Sequence, residues 1–225
     1  MSKKSKYTFK QLFGFAEHGP MPTDVTTQDL IKAKNNRNGY TALHIAAEYG
    51  HYPADCTVED LIITRDKAGF TALHAAAEHR NLPKNCTAAD LAAVKNEDGL
   101  TALHIAAVLG ILPPNTTVEQ LTNTKNNNGW SVLHTAAYYI NIPEWISLVD
   151  LTSVKDNKGI SALNALILNN SAKDIREIIP SLLNRTTCTD MTLAKHIANE
   201  VKYFNPANTT LWLAKQINNQ PPLTK

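Results

Sequence analysis

The sequence predicts an all-α fold in which one helix–turn–helix unit is repeated and stacked as a solenoid. Three observations predict it. One motif returns every 30 residues, each copy has the spacing of two short helices, and a glycine marks the turn between successive copies. Because a single helix pair of this size cannot bury its apolar side, the copies are expected to stack on one another.

The repeated motif is a hydroxyl residue followed by Ala-Leu-His. Thr41-Ala42-Leu43-His44 returns at Thr71 and Thr101, and in altered form at Ser131 and Ser161. A glycine stands two residues before each copy, at Gly39, Gly69, Gly99, Gly129 and Gly159. A less regular copy is predicted at the N-terminus, with Gln11-Leu12-Phe13 in place of Thr-Ala-Leu-His. Six units result.

The first helix of each unit is expected to begin at the Thr or Ser, which is a favoured N-cap residue. The Leu and the paired Ala residues that follow form a narrow apolar face. The helix should end where glycine accepts the left-handed conformation, at Gly50 and Gly110. Two other copies have Arg80 and Ile140 at this place, and the asparagines that follow them, Asn81 and Asn141, are the candidates for the left-handed residue.

The second helix is predicted to be short and to begin after a proline. A hydroxyl residue four positions beyond the proline is the N-cap, and an acid or amide three residues later can close a capping box. These pairs are Thr57 with Asp60, Thr87 with Asp90, Thr117 with Gln120, and Ser147 with Asp150. The polar stretch that ends in glycine is a turn, the finger that leads to the next unit.

The segment Gly39-Tyr40-Thr41-Ala42-Leu43-His44-Ile45-Ala46-Ala47-Glu48-Tyr49-Gly50-His51 is similar to the ankyrin repeat signature. The resemblance implies six ankyrin-like repeats over residues 1–170, the first and last of them degenerate caps. The repeat is a short variant, since ankyrin repeats usually have about 33 residues. We expect the missing three residues to come from the region of the second helix.

The end of the array is predicted to be covered by a helical cap over residues 171–225. Leu166-Ile167 replaces the alanine pair of the last repeat and needs more room than another repeat would leave. Apolar residues at helical spacing follow, beginning with Ile175, Ile178 and Ile179. The alternative is that residues 171–225 form a small separate functional domain.

Composition sets limits on function and location. The 225 residues carry a formal net charge of +2, which is too balanced to make nucleic acid the expected main partner. Three cysteines form neither a disulfide framework nor a zinc motif. Neither an export signal nor a membrane span is recognisable, so a cytoplasmic monomer that does not bind membranes is expected. Delivery into another cell by a signal not visible in the sequence stays open.

The residues offer little for catalysis. Equivalent histidines in stacked repeats, His44, His74, His104 and His134, lie too far apart to share a metal ion. The resemblance implies that they bond to the turn. Because no phosphate loop, nucleophile elbow or zinc motif occurs, we expect no enzyme, no metal and no cofactor. A weaker alternative is an activity in residues 171–225, where Cys188 and His196 are the available nucleophile and base.

In a stack, each repeat position becomes a row of side chains, and three rows are candidates for binding. By the resemblance, the residue after the finger glycine faces the concave groove, although burial would also favour its apolar character: Tyr40, Phe70, Leu100, Trp130 and Ile160. The end of the first helix changes from acidic to apolar and aromatic along the stack, and its alternative is an ordinary solvated surface: Glu48-Tyr49, Glu78-His79, Val108-Leu109 and Tyr138-Tyr139.

The third row consists of cations four residues before each finger glycine, at Arg65, Lys95, Lys125 and Lys155. It could meet an acidic segment or phosphates, or be a solvated edge. The sequence therefore predicts a non-catalytic module, acting as scaffold, adaptor, inhibitor or effector, that binds another protein of unknown identity in its concave groove. The alternative function is nucleic-acid binding along the third row.

Overall fold

A computed structural model describes residues 6–169 together with Ile178, Ser181 and Leu182. Eleven α-helices and no β-strand occur in this part of the chain, which confirms the predicted all-α helical repeat. None of the described helices has the length and apolar character needed to cross a membrane. The predicted cap over residues 171–225, including Cys188 and His196, lies outside the described residues except for those three positions, and it stays a prediction.

The chain divides into two compact units. Unit 1 comprises Met1–Gln120 and Thr124–Asn127, and unit 2 comprises Leu121–Asn123 and Asn128–Lys225. Unit 1 contains α1 (Phe9–His18), α2 (Thr27–Lys32), α3 (Ala42–Tyr49), α4 (Val58–Ile63), α5 (Ala72–Glu78), α6 (Ala88–Ala92) and α7 (Ala102–Leu109). Unit 2 contains α9 (Val132–Tyr138), α10 (Leu148–Ser153) and α11 (Ala162–Asn169), and α8 (Val118–Asn123) has residues in both units.

The second helices begin where the sequence predicts. Thr57, Thr87, Thr117 and Ser147 are their N-caps, and each closes a capping box with the acid or amide three residues later. The Thr57 hydroxyl, for example, donates to a carboxylate oxygen of Asp60 over 2.6 Å and accepts the Asp60 N–H over 3.2 Å. These helices have only five or six residues, so capping and packing rather than length must stabilise them.

The first repeat begins three residues earlier than predicted. Thr8 caps α1 and Gln11 closes its capping box, so Gln11 corresponds to His44 rather than to Thr41. The alignment of Gln11-Leu12-Phe13 with the Thr-Ala-Leu-His element is wrong, because the capping contacts identify the helix start. Thr8 and Thr41 are therefore 33 residues apart. Since α2 is no longer than the other second helices, this repeat gains its extra length in the first-helix segment and in the finger.

The first helices α3, α5, α7 and α9 end in a left-handed residue, whereas Gly19 after α1 combines a φ of 53° with an extended ψ of −179°. Gly50 has a φ of 73° and Gly110 a φ of 68°, as predicted. In the other two copies the left-handed residues are Arg80 and Ile140 themselves, with φ of 62° and 60°. The prediction that Asn81 and Asn141 take this role is wrong. Their backbone N–H groups donate to carbonyls five residues earlier, at Ala76 and Ala136, which places the left-handed conformation one residue before them.

The core of each unit is built from the predicted apolar faces. In unit 1, α3 packs between α1 and α5, and α5 packs against α7. The leucines of these first helices and of the second helices are completely or almost completely buried: Leu30, Leu43, Leu61, Leu73, Leu91 and Leu103. The paired alanines permit close helix contact. In unit 2, α9 packs against α11 with Leu133, Leu163 and Leu166 buried.

Candidate functional site

The repeated histidines connect neighbouring repeats. His44 accepts the Thr41 N–H at Nδ1 over 3.2 Å, and its Nε2–H donates to the carbonyl oxygen of Phe70 over 3.1 Å. His74 repeats this pattern with the carbonyl of Leu100 at 3.1 Å. In unit 2, His134 bonds to the carbonyl of Ile160 at 2.9 Å. Because Nδ1 receives a backbone N–H, the network assigns the proton to Nε2, and each ring is a neutral imidazole.

Burial keeps the rings of His44 and His74 neutral. It lowers the pKa of His44 to about 4, against the opposing effect of the bond to the Phe70 carbonyl. Burial also lowers the pKa of His74, again opposed by the bond to the carbonyl of the next repeat. With both nitrogens of each ring engaged, these histidines are structural groups rather than bases or ligands. Within the described residues, no group of three or more metal-binding side chains comes together.

The row of residues after the finger glycine covers the histidine rings. The Tyr40 ring stacks on His44 with centroids 4.3 Å apart, and the Phe70 ring lies 5.0 Å from His74. In unit 2, Trp130 lies 5.0 Å from His134. All five members of the row, including Leu100 and Ile160, are half-buried. One side of each of these three rings packs on its own repeat and part of the ring stays accessible, whereas the position of the row in a concave groove stays a prediction.

In unit 1, Tyr40 also joins the row to the acidic end of α3. Its hydroxyl donates to the carboxylate of Glu48. Burial, this hydrogen bond and the nearby charges of Glu78 and Asp66 raise the pKa of Tyr40 far above its ordinary range. The phenol is therefore a permanent donor that holds the Glu48 carboxylate in place. Tyr40 and Glu48 thus form one rigid pair on this surface.

The ends of the first helices differ in exposure. In unit 1, Tyr49 is 51% exposed, and Glu78 and His79 are exposed as well, whereas Val108 and Leu109 are half-buried. The His79 Nδ1–H donates to the Ala75 carbonyl over 3.1 Å. The surface at this end of unit 1 therefore combines an aromatic ring with carboxylates.

Unit 2 carries a group of three rings at the end of α9. Tyr138 meets Trp130 edge-to-face with centroids 6.0 Å apart, and Tyr139 packs against Tyr138 at 5.1 Å. Tyr138 is half-buried and Tyr139 is 49% exposed. Edge-to-face pairs are a favourable aromatic geometry, so the three rings support one another.

Two further exposed apolar side chains lie outside the residues predicted from the sequence. Ile63 on α4 is 56% exposed in unit 1, and Trp145 before α10 is 52% exposed in unit 2. The available signal for Trp145 was that polar residues stand at its place in the other copies, at Asp55, Asn85 and Asn115. Neither residue lies at a repeat position that belongs to one of the three predicted rows.

The row of cations is mostly on the surface. Arg65, Lys95 and Lys155 are exposed, and Lys125 is half-buried. The structure adds Lys34 to the row, because Lys34 bridges to Thr41 as Arg65 bridges to Thr71. Reading the sequence at a fixed spacing from the glycine missed Lys34, since the first finger is one residue longer.

The two described cysteines are free and unreactive in character. Cys56 is half-buried and Cys86 is buried. Burial raises the pKa of Cys56 to about 11 and that of Cys86 to about 12. Because the thiolate is the nucleophilic form, these protonated thiols are poor candidates for catalysis.

The fold and the histidine network define a helical repeat protein in which a polar finger separates successive helix pairs. Residues 4–88 match the family model of ankyrin repeats, with three copies. This match confirms, over residues 4–88, the resemblance to ankyrin repeats that the sequence motif indicates. No curated protein matches the chain. Ankyrin repeats are generally protein–protein interaction modules, and proteins built from them are typically non-catalytic.

Proposed function

We propose that the protein is a non-catalytic interaction module that holds a partner protein against the ends of its first helices and the rings beside its fingers. The class of protein supports this function, because ankyrin repeats generally act as protein interaction modules. The residues proposed for contact are those of the first two rows: Tyr40, Phe70, Leu100, Trp130, Glu48, Tyr49, Glu78, His79, Val108, Leu109, Tyr138 and Tyr139.

The observation that carries the proposal is the fixation of partly exposed rings. Tyr40 is held by stacking on His44 and by its bond to Glu48, and Tyr138 is held between Trp130 and Tyr139. A ring that is already fixed in the free protein loses little conformational freedom on binding. Aromatic side chains are also enriched among the residues that contribute most to binding energy. Fixed rings of this kind suit anchoring better than mobile ones.

Each unit offers a different chemistry. The unit 1 surface combines Tyr49 with the exposed carboxylate of Glu78, so it suits a segment that carries both apolar and basic side chains. The unit 2 surface around Tyr138 and Tyr139 is aromatic, so it suits an apolar segment with hydrogen-bonding groups that can reach the two phenol hydroxyls. We therefore expect substitutions in the two units to affect different parts of the bound partner.

Partner capture with paired variants tests the proposal. Tyr49→Ala and Tyr139→Ala are combined in one protein, and Ile63→Ala and Trp145→Ala in a control that removes equally exposed apolar side chains elsewhere. Both proteins and the wild type are immobilised, and the proteins captured from a cell lysate are quantified by mass spectrometry. We expect the first variant to lose at least about 90% of a specific capture, because losing two anchors costs on the order of 2 kcal/mol. The control should retain it.

Equal capture by the wild type and the Tyr49→Ala/Tyr139→Ala variant, with unchanged circular dichroism, would overturn the proposed surface. A loss restricted to the Ile63→Ala/Trp145→Ala protein would move the site to the second helices. The cytoplasmic location and monomeric state stay predictions that this experiment does not address.

Nucleic-acid binding along the row of cations receives less support from unit 1. Beside Lys95, the third finger exposes the carboxylates of Glu97 and Asp98. A nucleic acid that followed the row would meet these negative charges after two fingers. We therefore keep protein binding as the proposed function.

A further inference from the structure

We propose that a group of four cations on the first two fingers of unit 1 binds a short acidic segment of the partner protein. This basic patch consists of Lys34, Arg37, Arg65 and Lys67. The proposal rests on the proposed function and adds the charge of the segment that the partner presents. The basic patch is a different surface from the first two rows, so the two proposals can be tested separately.

The lysines of the basic patch come together around Gly39. A Cβ atom placed on this glycine would lie 3.1 Å from Lys34 Cε and 3.2 Å from Lys67 Cγ. Gly39 has a φ of 82°, a conformation that favours glycine, and its missing side chain leaves the space into which the two lysines extend. The aliphatic stems of two lysines from neighbouring fingers therefore pass beside the same glycine.

Lys67 is fixed in this position by the first finger. Its ammonium donates to the carbonyl oxygens of Asn36 and Arg37, each over 3.0 Å, and its backbone N–H donates to the Asn38 carbonyl over 2.8 Å. An ammonium has three donors, so one remains for a ligand. The group is therefore oriented before binding and loses little freedom when an anion arrives.

The basic patch has little compensating charge. The carboxylate nearest in sequence is Asp66, whose Oδ1 accepts the N–H groups of Ala68 and Phe70, each over 2.9 Å. This bonding turns that oxygen inward to hold the finger. Over residues 6–169, none of the four cations takes part in an ion pair. The four cations lie on two neighbouring fingers, so an acidic segment that lies along these fingers would be attracted by several positive charges at once.

The extent of the basic patch matches a short peptide better than a nucleic acid. Stacked helices are about 10 Å apart and an extended chain advances about 3.3 Å per residue, so about three residues lead from one finger to the next. A run of four acidic residues therefore spans the patch. Duplex DNA has one charge per roughly 1.7 Å of its axis and would extend to Glu97 and Asp98 on the third finger.

Binding of labelled peptides tests the proposal directly. The probe is a fluorescein-labelled peptide with four consecutive acidic residues between Gly-Ser flanks, compared with a peptide in which Gln and Asn replace the acids. Anisotropy is measured on the full chain at about 50 mM salt, where charge interactions are weakly screened. The variant is Lys34→Gln/Arg65→Gln, and the matched control is Lys84→Gln/Lys158→Gln, which removes two exposed lysines elsewhere.

We expect the acidic peptide to bind and the neutral peptide not to bind. The Lys34→Gln/Arg65→Gln variant should bind the acidic peptide at least about fivefold more weakly, corresponding to two surface charge contacts of roughly 0.5 kcal/mol each. The control variant should stay within about twofold of the wild type, since its net charge is the same as that of the test variant. A rise to about 300 mM salt should weaken wild-type binding.

Three outcomes would overturn the proposal: equal affinity for both peptides, equal weakening in the control variant, or tighter binding of a twelve-nucleotide single-stranded DNA that is lost in Lys34→Gln/Arg65→Gln. The last result would assign the basic patch to nucleic acid. Failure of the peptide test leaves the aromatic surface in place if partner capture still depends on Tyr49 and Tyr139. Conversely, if partner capture does not depend on Tyr49 and Tyr139 but the acidic peptide binds as expected, only the basic patch would be supported as a binding surface.

Discussion

The imidazole of His44 donates its Nε2–H to the carbonyl oxygen of Phe70, 26 residues later in the chain. Its other nitrogen accepts the N–H of Thr41, the N-cap of its own helix. One side chain thus completes a helix start and connects it to the finger that leads into the following repeat.

Substitution of His44 separates its two roles. His44→Ala removes both the capping contact and the bond to Phe70, so the free energy of unfolding should fall by about 2–3 kcal/mol. His44→Gln should cost less, because Gln11 closes the equivalent capping box in α1. Urea denaturation followed by circular dichroism measures both values. Equal losses for the two variants would mean that the capping contact contributes little.

Stability should fall on acidification. The pKa of His44 is about 4 in the folded protein and about 6.5 when unfolded, so the unfolded state binds the proton first. The stabilisation is complete above pH 6.5 and is lost as the pH falls toward 4. His44 alone accounts for about 3 kcal/mol over this range, and His74 acts in the same direction. Urea midpoints at intervals from pH 7 to 4.5 measure the slope.

The His44→Gln variant is the control for the pH experiment. Because glutamine does not titrate, this variant should show a shallower loss of stability between pH 6.5 and 4.5 than the wild type. Parallel pH profiles for the two proteins would contradict the assignment of the effect to His44.

Alanine substitutions at two finger glycines should differ in cost. Gly99 and Gly159 have similar φ values of 79° and 80°, so both substitutions carry a left-handed penalty of about 1–2 kcal/mol. A Cβ on Gly99 would also collide with the backbone nitrogen of Asn127 in the next finger, whereas a Cβ on Gly159 meets no described atom within 4 Å. Gly99→Ala should therefore lower the free energy of unfolding by about 1 kcal/mol more. Denaturant titration of the two variants measures the difference, and equal costs would show that the finger moves away without penalty.

Replacing Ile140 with glycine should stabilise the protein. Ile140 has a φ of 60° at the position where Gly50 and Gly110 end the equivalent helices. Removing a β-branched side chain from this conformation should raise the free energy of unfolding by about 0.5–1 kcal/mol, after the greater entropy of glycine in the unfolded chain is counted. Thermal denaturation measures the change. Ile140→Ala keeps the Cβ and should gain less, so an equal gain for both variants would contradict strain as the cause.

Local features of the fold could be predicted because their contacts join residues close in sequence. The Thr57–Asp60 capping box depends on residues three positions apart, and its pattern is visible in the sequence. The sequence did not show that Arg80, and not Asn81, is the left-handed residue. Asparagine favours this conformation by itself, but the hydrogen bonds at the helix end select the residue before it. The early start of the first repeat was missed since Gln11 does not resemble histidine.

The repeat positions of the candidate site residues could be predicted from the sequence, but the burial and exposure of their side chains could not. Tyr40 and Phe70 belong to one row by spacing, yet their half-buried state follows from stacking on the histidines of their own repeats. Lys34 was not included in the row of cations because its finger has one additional residue, which places it five residues before the finger glycine and not four. The exposure of Trp145 required the folded structure, since none of the three predicted rows includes its repeat position.

The sequence by itself determined the 30-residue repeat, the helix starts of its regular copies and the finger turns, since these depend on capping, chirality and apolar spacing over a few residues. The tertiary structure alone decided which rings are fixed, that the buried histidines are neutral, and that Lys34 and Lys67 meet at Gly39. The rings are fixed by contacts four to eight positions apart within one repeat. The neutral histidines and the approach of the two lysines instead depend on contacts between residues 26 and 33 positions apart. Such contacts form only when the repeats of unit 1 stack, because stacking removes water from the histidines and brings neighbouring fingers together.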